Sequence, residues 1–522
     1  MSSVATEGRQ RKDTDPLLSG VGSAAEAASG AAPLSPLLFT DVARTKVAQM
    51  SLREKASVTS GASFWWLQSV RRLGIEGPMV CDGPHGLRKD LGASHLGLDG
   101  SVPATCFPTA SALGASWDRK LVQQVGEALG RECVANQVSV LLGPGVNMKR
   151  HPLCGRNFEY ISEDPHVAGE LGAAFVAGVQ SRGIGTSLKH YAVNNQEFNR
   201  MGIDTLVDER TLREYYLPAF EAVVRKAQPW TVMAAYNRLN GTFCSEHHWL
   251  LSTVLRGEWG FKGLVVTDWG AVNDRVAGVL SGCDLEMPSS GGHTDRALVR
   301  AVRSGKLAEP ELDVAAQRVT ALCLVGAAQQ QMEEQADLDQ HHALARRAAA
   351  ECAVLLKNET RDGAKLLPLR RSNRIALIGG FAEAPRFQGT GSSKVNAHRV
   401  DLPLAAIREA VDGEGEVVFS LGYDAVHAAT DAALIEEAAA AATAADCAVV
   451  IVGLTGAYEA EAVDREHMDL PEQMNQLVSK VMALDTYSQH QAAQTPPYRH
   501  RHTDTAPDLS MAKAPKAACC TA

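Results

Sequence analysis

The stretch Gly263-Leu-Val-Val-Thr-Asp-Trp-Gly-Ala271 decides the fold. Leu264 to Thr267 is a short apolar, β-branched run of the kind that forms a strand buried on both faces. A carboxylate, an indole and a glycine follow at once. In a barrel of parallel strands the C-terminal strand ends carry the chemistry, and Asp268 stands at such an end. Two readings of it are open. It is a nucleophile suited to an anomeric carbon, with Trp269 stacking on a sugar face, or it is the N-cap of the helix that follows.

Working outward, the same alternation recurs. Apolar runs at Val138-Ser-Val-Leu-Leu142 and Thr231-Val-Met-Ala-Ala235 are separated by amphipathic stretches such as Asp208-Glu-Arg-Thr-Leu-Arg-Glu-Tyr-Tyr-Leu217. Alternation over residues 39–325 predicts a (β/α)8-type barrel. Residues 326–345, dense in Gln, Glu and Asp around 329–340, read as a linker or exposed helix. A second β/α block spans 346–485. Leu344 to Leu356 reads as helix then strand, Arg374 to Gly380 as a strand entering a turn, Asp431 to Ala445 as a helix and Cys447 to Val452 as a buried strand. The fold class is therefore α/β, a barrel followed by an α/β/α sandwich. Residues 1–38, rich in Ser, Ala and Gly, read as a disordered arm, and 486–522 as a tail with neither helical nor strand period.

Bulk properties narrow the function. With 522 residues, 45% hydrophobic and 21% charged, the chain is long enough for two packed domains. A net charge of -9, with no basic stripe to neutralise phosphates, argues against a nucleic-acid binder. No apolar run reaches membrane-spanning length, and Met1 to Lys12 contains no signal-type apolar segment, so a cytoplasmic location is expected. Eleven cysteines without paired C-x-x-C spacing suit free thiols in a reducing compartment. Oligomeric state is not readable.

Other polar groups stand at or near strand ends. Asp82-Gly-Pro-His-Gly-Leu-Arg88 follows an apolar run, and its acid and guanidinium are able to clasp vicinal hydroxyls, unless they merely close a Gly/Pro turn. Arg156 and the pair Lys189-His190 supply donors of the kind polyol recognition needs, or form a surface basic patch. A metal reading is weak, because no second His lies at helical ligand spacing. The acidic run Tyr458-Glu-Ala-Glu-Ala-Val-Asp-Arg465, after the strand 447–452, is a solvated turn or half of a catalytic pair.

The order Asp82, Arg156, Lys189-His190, Tyr236, Asp268 resembles glycoside hydrolase family 3, the β-glucosidase family. The motifs "CDGPHGLRK", "GRNFEYISEDP", "KHYAVNNQE", "PWTVMAAYNRLNG", "LVVTDWGAVNDR" and "GCDLEMPSSGG" carry the resemblance, which covers about residues 45–485. It implies that Asp268 is the nucleophile of a retaining exo-β-glycosidase acting on terminal β-D-glucosyl residues. Asp82, Arg88, Arg156, Lys189 and His190 would bind sugar hydroxyls, with Tyr236 beside the nucleophile and Trp269 as an apolar platform. "KHYAVNNQE" lacks the His-bearing loop of the family's N-acetylglucosaminidases. Related β-glucosidases carry a loop E-x-E-G-x-D-R, which places the acid/base at Glu461, with Glu459 as runner-up and Asp464 and Arg465 pairing to shape the loop. Ala462 replaces the usual Gly. If its φ is positive, the strain is on the order of 1 kcal/mol.

Such a pair acts by double displacement, its carboxyls about 5 Å apart, and the pKa of Glu461 must rise for it to donate a proton. No metal or organic cofactor is required, and the substrate is an oligosaccharide or β-glucoside. The Gly-rich "FQGTGSSKVN" departs from a nucleotide fingerprint and is expected near the substrate cleft. Recognisable sequence stops near Asp485, so a C-terminally truncated chain is expected, its sandwich incomplete and Glu461 poorly positioned. The alternative is then a catalytically impaired, sugar-binding member of the family. Sugar preference among glucose, xylose and galactose is not readable.

Overall fold

The computed structural model describes residues 35–92, 100–360, 363–424 and 431–484, together with the backbone of 517–521. The arm and tail expected over 1–38 and 486–522 otherwise lie outside the described residues. Pro36–Phe39, at the end of that arm, form a 3-10 turn capped by the Ser35 side chain.

The N-terminal region is built on five parallel strands: β1 (Val80–Asp82), β2 (Val140–Leu142), β3 (Gly185–Tyr191), β4 (Thr231–Ala234) and β5 (Leu264–Thr267). They neighbour one another in that order, and all of β1, β2, β3, β4 and β5 is buried. This is why their sequences run continuously apolar instead of alternating. Single bridges close the ring beyond β5, where Val266 pairs with Leu285, Glu286 with Ser60, Gly61 with Leu67 and Trp66 with Met79. The Trp66–Leu67 stave runs antiparallel to its neighbours.

Helices wrap this wall. Helix α1 (Arg119–Ala135) is capped by Asp118 and buries Leu121, Val122, Val125, Ala128, Leu129 and Cys133, one stripe of period 3.6. Helix α2 (Pro165–Gln180) starts on Asp164 as N-cap and Pro165 in its first turn. Helix α3 (Glu309–Gln329) runs four residues into the segment read as linker, and α4 (Leu338–Glu351) begins after a further eight.

The second domain has its own core and a parallel sheet of β6 (Arg374–Ile378), β7 (Glu416–Ser420), β8 (Cys447–Val452) and β9 (Ala517–Thr521), in the spatial order β7-β6-β8-β9. Strand β8 lies between two neighbours and is buried throughout. Residues 517–521, expected in a patternless tail, therefore form a strand whose backbone pairs with β8. The strand expected up to Leu356 is absent. The chain leaves α4 at Glu351, no strand runs beside 353–357, and Leu356 is 91% exposed. A barrel and an α/β sandwich are thus both present, in the expected order. No described helix is long and apolar enough to cross a membrane.

Candidate active site

At the C-terminal ends of the barrel strands lies a cavity of about 440 Å³. Its wall contains Asp82, Arg88, Arg156, Lys189, His190, Tyr236, Asp268, Trp269 and Glu461. All nine side chains expected from the sequence thus meet in one place, across two domains and 380 residues of chain.

Asp268 leaves β5 with its N–H donating to the Ala234 carbonyl of β4, 3.0 Å away. It caps no helix: the next one, Arg275–Ser281, is capped by Asp274. Its Oδ1 accepts the Trp269 N–H at 2.7 Å, while Oδ2 is buried with no hydrogen-bond partner. Burial raises its pKa, against the pull of Arg156, Lys189 and the Trp269 N–H. His190 Nε2 lies 3.6 Å from Oδ2. Burial, Arg156 and Lys189 hold that imidazole well below its usual pKa, so this is a contact with a neutral ring and not an ion pair.

Lys189 and His190 reach the cavity because the ladder between β3 and β4 breaks between Leu188 and Tyr191. Glu159 neutralises this wall. Its carboxylate takes Arg156 Nη2 at 2.8 Å and Lys189 Nζ at 3.0 Å. Burial opposes its ionisation, and the two cations outweigh burial and keep its pKa low. Asn147 fixes His190 through its backbone, accepting the N–H at 2.7 Å and donating to the carbonyl at 2.8 Å. Across the cavity Asp82 Oδ2 lies 3.6 Å from Arg88 Nη1, which also donates to the Ser392 carbonyl at 3.2 Å. Burial raises the Asp82 carboxyl to about 7, against Lys189 and Arg88.

The apolar face is wider than expected. Trp269 Nε1 donates to the Phe64 carbonyl at 2.8 Å, and its ring lies 5.5 Å from that of Trp65. Phe64 and Trp65 line the cavity too. The triplet Phe64-Trp65-Trp66 was the available signal, since consecutive aromatics outside a periodic element usually mark a surface that something covers.

Glu461 comes from the second domain, on the loop between β8 and the helix α5 (Glu472–Ala483). Its Oε2 accepts the Ser392 N–H at 2.6 Å, and its Oε1 accepts Arg200 Nη1 at 2.9 Å with Arg156 Nη1 at 3.8 Å. Gly391 and Ser392 of the Gly-rich loop complete the wall, as expected of a segment near the cleft. Gly391 has φ +99°, and a Cβ there would overlap Glu461. Glu459 is not on the wall. It pairs instead with Arg386 at 3.2 Å.

Three expectations are corrected. Glu461 is well held, lining the same cavity as Asp268. Its pKa lies well below the ordinary value, not above it: burial pushes upward, and Arg156, Arg200 and the Ser392 N–H more than reverse that. Asp464 and Arg465 do not pair. Asp464 accepts the N–H groups of Gly155, Glu197 and Phe198 at 2.8–3.0 Å, a carboxylate cap on two barrel loops. Arg465 donates its N–H to the Leu153 carbonyl at 2.8 Å. Gly155 permits this contact, because any Cβ there would overlap the Val463 carbonyl. Ala462 has φ +71°, the left-handed conformation in which Ala is strained, and its N–H donates to Glu197 Oε2 at 2.7 Å.

Comparison with known proteins agrees with this architecture. Residues 95–322 match the glycosyl hydrolase family 3 N-terminal domain, and 353–488 its C-terminal domain. The chain is 52% identical over 441 residues to the thermostable β-glucosidase B of Acetivibrio thermocellus, and 45% identical over 448 to an exo-α-(1→6)-L-arabinopyranosidase of Bifidobacterium breve. Each alignment covers 84% of this chain, and the chain spans 58% of each relative's length. The β-glucosidase 3B of Thermotoga neapolitana, solved with α-D-glucose, superposes with a TM-score of 0.76 at 31% identity, covering 86% of this chain and 67% of that one. Two family models in the right order, with these identities, place the chain in glycosyl hydrolase family 3.

Proposed function

We propose that the chain is a retaining exo-β-glycosidase, a β-glucosidase, with Asp268 as nucleophile and Glu461 as acid/base. One observation carries this reading. A buried carboxylate with a free oxygen and a second carboxylate from another domain share a small cavity, between hydroxyl-binding groups and an aromatic face. The relatives add the sugar, since a named β-glucosidase and a glucose-bound structure are among them.

In the first step Asp268 Oδ2 attacks the anomeric carbon while Glu461 gives its proton to the departing oxygen. The glycosyl ester that results has lost the Asp268 charge. Water then attacks the same carbon, Glu461 takes its proton, and Asp268 leaves as carboxylate, so configuration is retained. Asp82 and Arg88 hold one edge of the sugar, Arg156, Lys189 and neutral His190 another, and Trp269 with Trp65 supports an apolar face. Cys81, Cys133, Cys154, Cys244, Cys283 and Cys323 are buried thiols outside any disulfide, which suits a reducing, cytoplasmic setting.

The test is a panel of 4-nitrophenyl glycosides on the purified chain: β-D-glucoside, β-D-xyloside, β-D-galactoside and α-L-arabinopyranoside. The β-D-glucoside should turn over with the highest kcat/KM. Glu461→Ala should lose turnover and regain it with azide, releasing β-glucosyl azide. Sugar binding without turnover of any substrate would establish the impaired, sugar-binding alternative instead.

A further inference from the structure

The acid/base raises a problem of its own. A general acid needs an oxygen that carries a proton and has somewhere to aim it. Both Glu461 oxygens face donors, Oε2 the Ser392 N–H and Oε1 the Arg200 guanidinium. A proton on Oε1 would point into Nη1–H. With Arg200 in place its charge beside Oε1 favours the ionised carboxylate, which is a base and not an acid.

Arg200 has somewhere else to go. The same Nη1 lies 2.7 Å from Glu197 Oε2, and Glu197 Oε1 is buried with no hydrogen-bond partner. The guanidinium rests 5.0 Å from the centre of the Tyr236 ring, a face along which it can turn while staying stabilised. Arg200 does not line the cavity. It sits behind Glu461, between two carboxylates of which only one faces substrate. We infer that Arg200 is a transferable counter-ion: it holds Glu461 ionised in the empty site and passes to a two-pronged pair with Glu197 when a glycoside enters, freeing Oε1 to take up its proton from solvent. This deepens the acid/base reading of Glu461 and rests on it.

Several charges act on Glu461 besides Arg200. Arg156 favours the ionised form, and Glu159, Glu197, Asp82 and Asp268 oppose it. Arg156 is itself bound to Glu159 through Nε and Nη2. It is a fixed cation. Arg200, shared between two acceptors, is the one whose movement changes the balance. In its function Arg200 is a positioning residue, since it touches Glu461 and not the sugar.

The experiment uses the full chain and 4-nitrophenyl 1-thio-β-D-glucopyranoside, which binds without being cleaved. Calorimetry at pH 6.5 in two buffers of different ionisation enthalpy measures protons taken up on binding. Wild type should take up about one proton per site more than Glu461→Gln. Arg200→Gln should abolish that excess, because Glu461 is then protonated before binding. Glu197→Gln should abolish it too, because Arg200 has lost its second carboxylate. In turnover of cellobiose, the basic limb of kcat/KM should move up by about 1 pH unit or more in Arg200→Gln. Equal uptake by wild type and Glu461→Gln, or loss of rate in Arg200→Gln that is the same at every pH, would overturn the role of Arg200. Failure of azide to rescue Glu461→Ala would instead remove the acid/base reading, so the two failures are separable.

Discussion

Asp268 and Glu461 face one cavity and are held there by opposite means. Asp268 belongs to the barrel wall. It is fixed by its place at the end of β5, by a backbone bond to β4 and by the Trp269 N–H, with the His190 and Tyr236 side chains beside it. Glu461 rides on the loop of residues 453–471, outside any strand or helix. It is held by Ser392, Arg200 and, one step back, by Asp464 and Glu197. The position of the proposed nucleophile is thus a property of the fold. That of the proposed acid is a property of a network between domains, and networks fail when one member is lost.

The sharpest way to test that contrast is to remove each kind of support. Asp268→Asn leaves the strand end intact and takes away the attacking oxygen, so kcat for aryl β-glucosides should fall by about 10^4-fold or more. Mass spectrometry should also find no covalent adduct with a 2-fluoroglucoside. Asp464→Asn touches no substrate. It weakens the cap on Gly155, Glu197 and Phe198 and lets the loop shift, which should cost about 10^2-fold in kcat on cellobiose. With 2,4-dinitrophenyl β-glucoside, whose leaving group needs no proton, the loss should be far smaller. An equal loss on both substrates would mean that the loop supports folding and not acid catalysis.

The same contrast explains what the sequence disclosed. Asp268 was legible because strand ends follow from hydrophobic runs, which are local. Asp82, Lys189 and His190 were legible for the same reason. Arg200, Glu197 and Glu159 were not: Glu197 and Glu159 lie inside the motifs "KHYAVNNQE" and "GRNFEYISEDP", and Arg200 three residues beyond the first. Their importance comes from partners 261 and 30 residues away, a separation no local pattern encodes. The pairing of Asp464 with Arg465 was wrong for a related reason. Adjacency in sequence suggested an ion pair, whereas three barrel N–H groups satisfy the carboxylate better than one half-buried guanidinium. The strand at 517–521 was missed because Ala517-Ala-Cys-Cys-Thr521 has a composition without period, and only the open side of β8 makes it a strand.

Asp82 offers a smaller test, in which binding and stability move in opposite directions. Its pKa of about 7 in the folded chain exceeds the ordinary 3.8. Between those values the folded chain holds a proton that the unfolded chain has released, so this group's contribution to stability falls as pH rises through that window. If sugar binding uses the carboxylate, as proposed, KM for 4-nitrophenyl β-glucoside should rise on the order of tenfold as pH falls from 8 to 6. Asp82→Asn should raise the melting temperature at pH 8 and flatten the pH dependence of KM at a weakly binding level. A KM that stays flat in the wild type would show that Arg88 and Lys189 keep Asp82 ionised throughout.

Ala462 gives the smallest effect and bears most directly on the loop. Its φ of +71° costs Ala on the order of 1 kcal/mol relative to Gly, part of which Gly loses again through its greater freedom in the unfolded chain. The strain is local to the residue that follows Glu461, and its N–H bond to Glu197 is the contact that opposes it. Strain of this kind is relieved when the loop lifts, so it acts on the population of the aligned acid more than on global unfolding. Ala462→Gly should therefore leave the melting temperature nearly unchanged and raise kcat on cellobiose by up to about fivefold, the equivalent of 1 kcal/mol. The effect on 2,4-dinitrophenyl β-glucoside should be negligible. If both substrates gain alike, the strain is being felt by the whole domain and not by the acid. If neither gains, the clasp of Asp464 and Glu197 already holds the loop closed in spite of the strained residue at its turn.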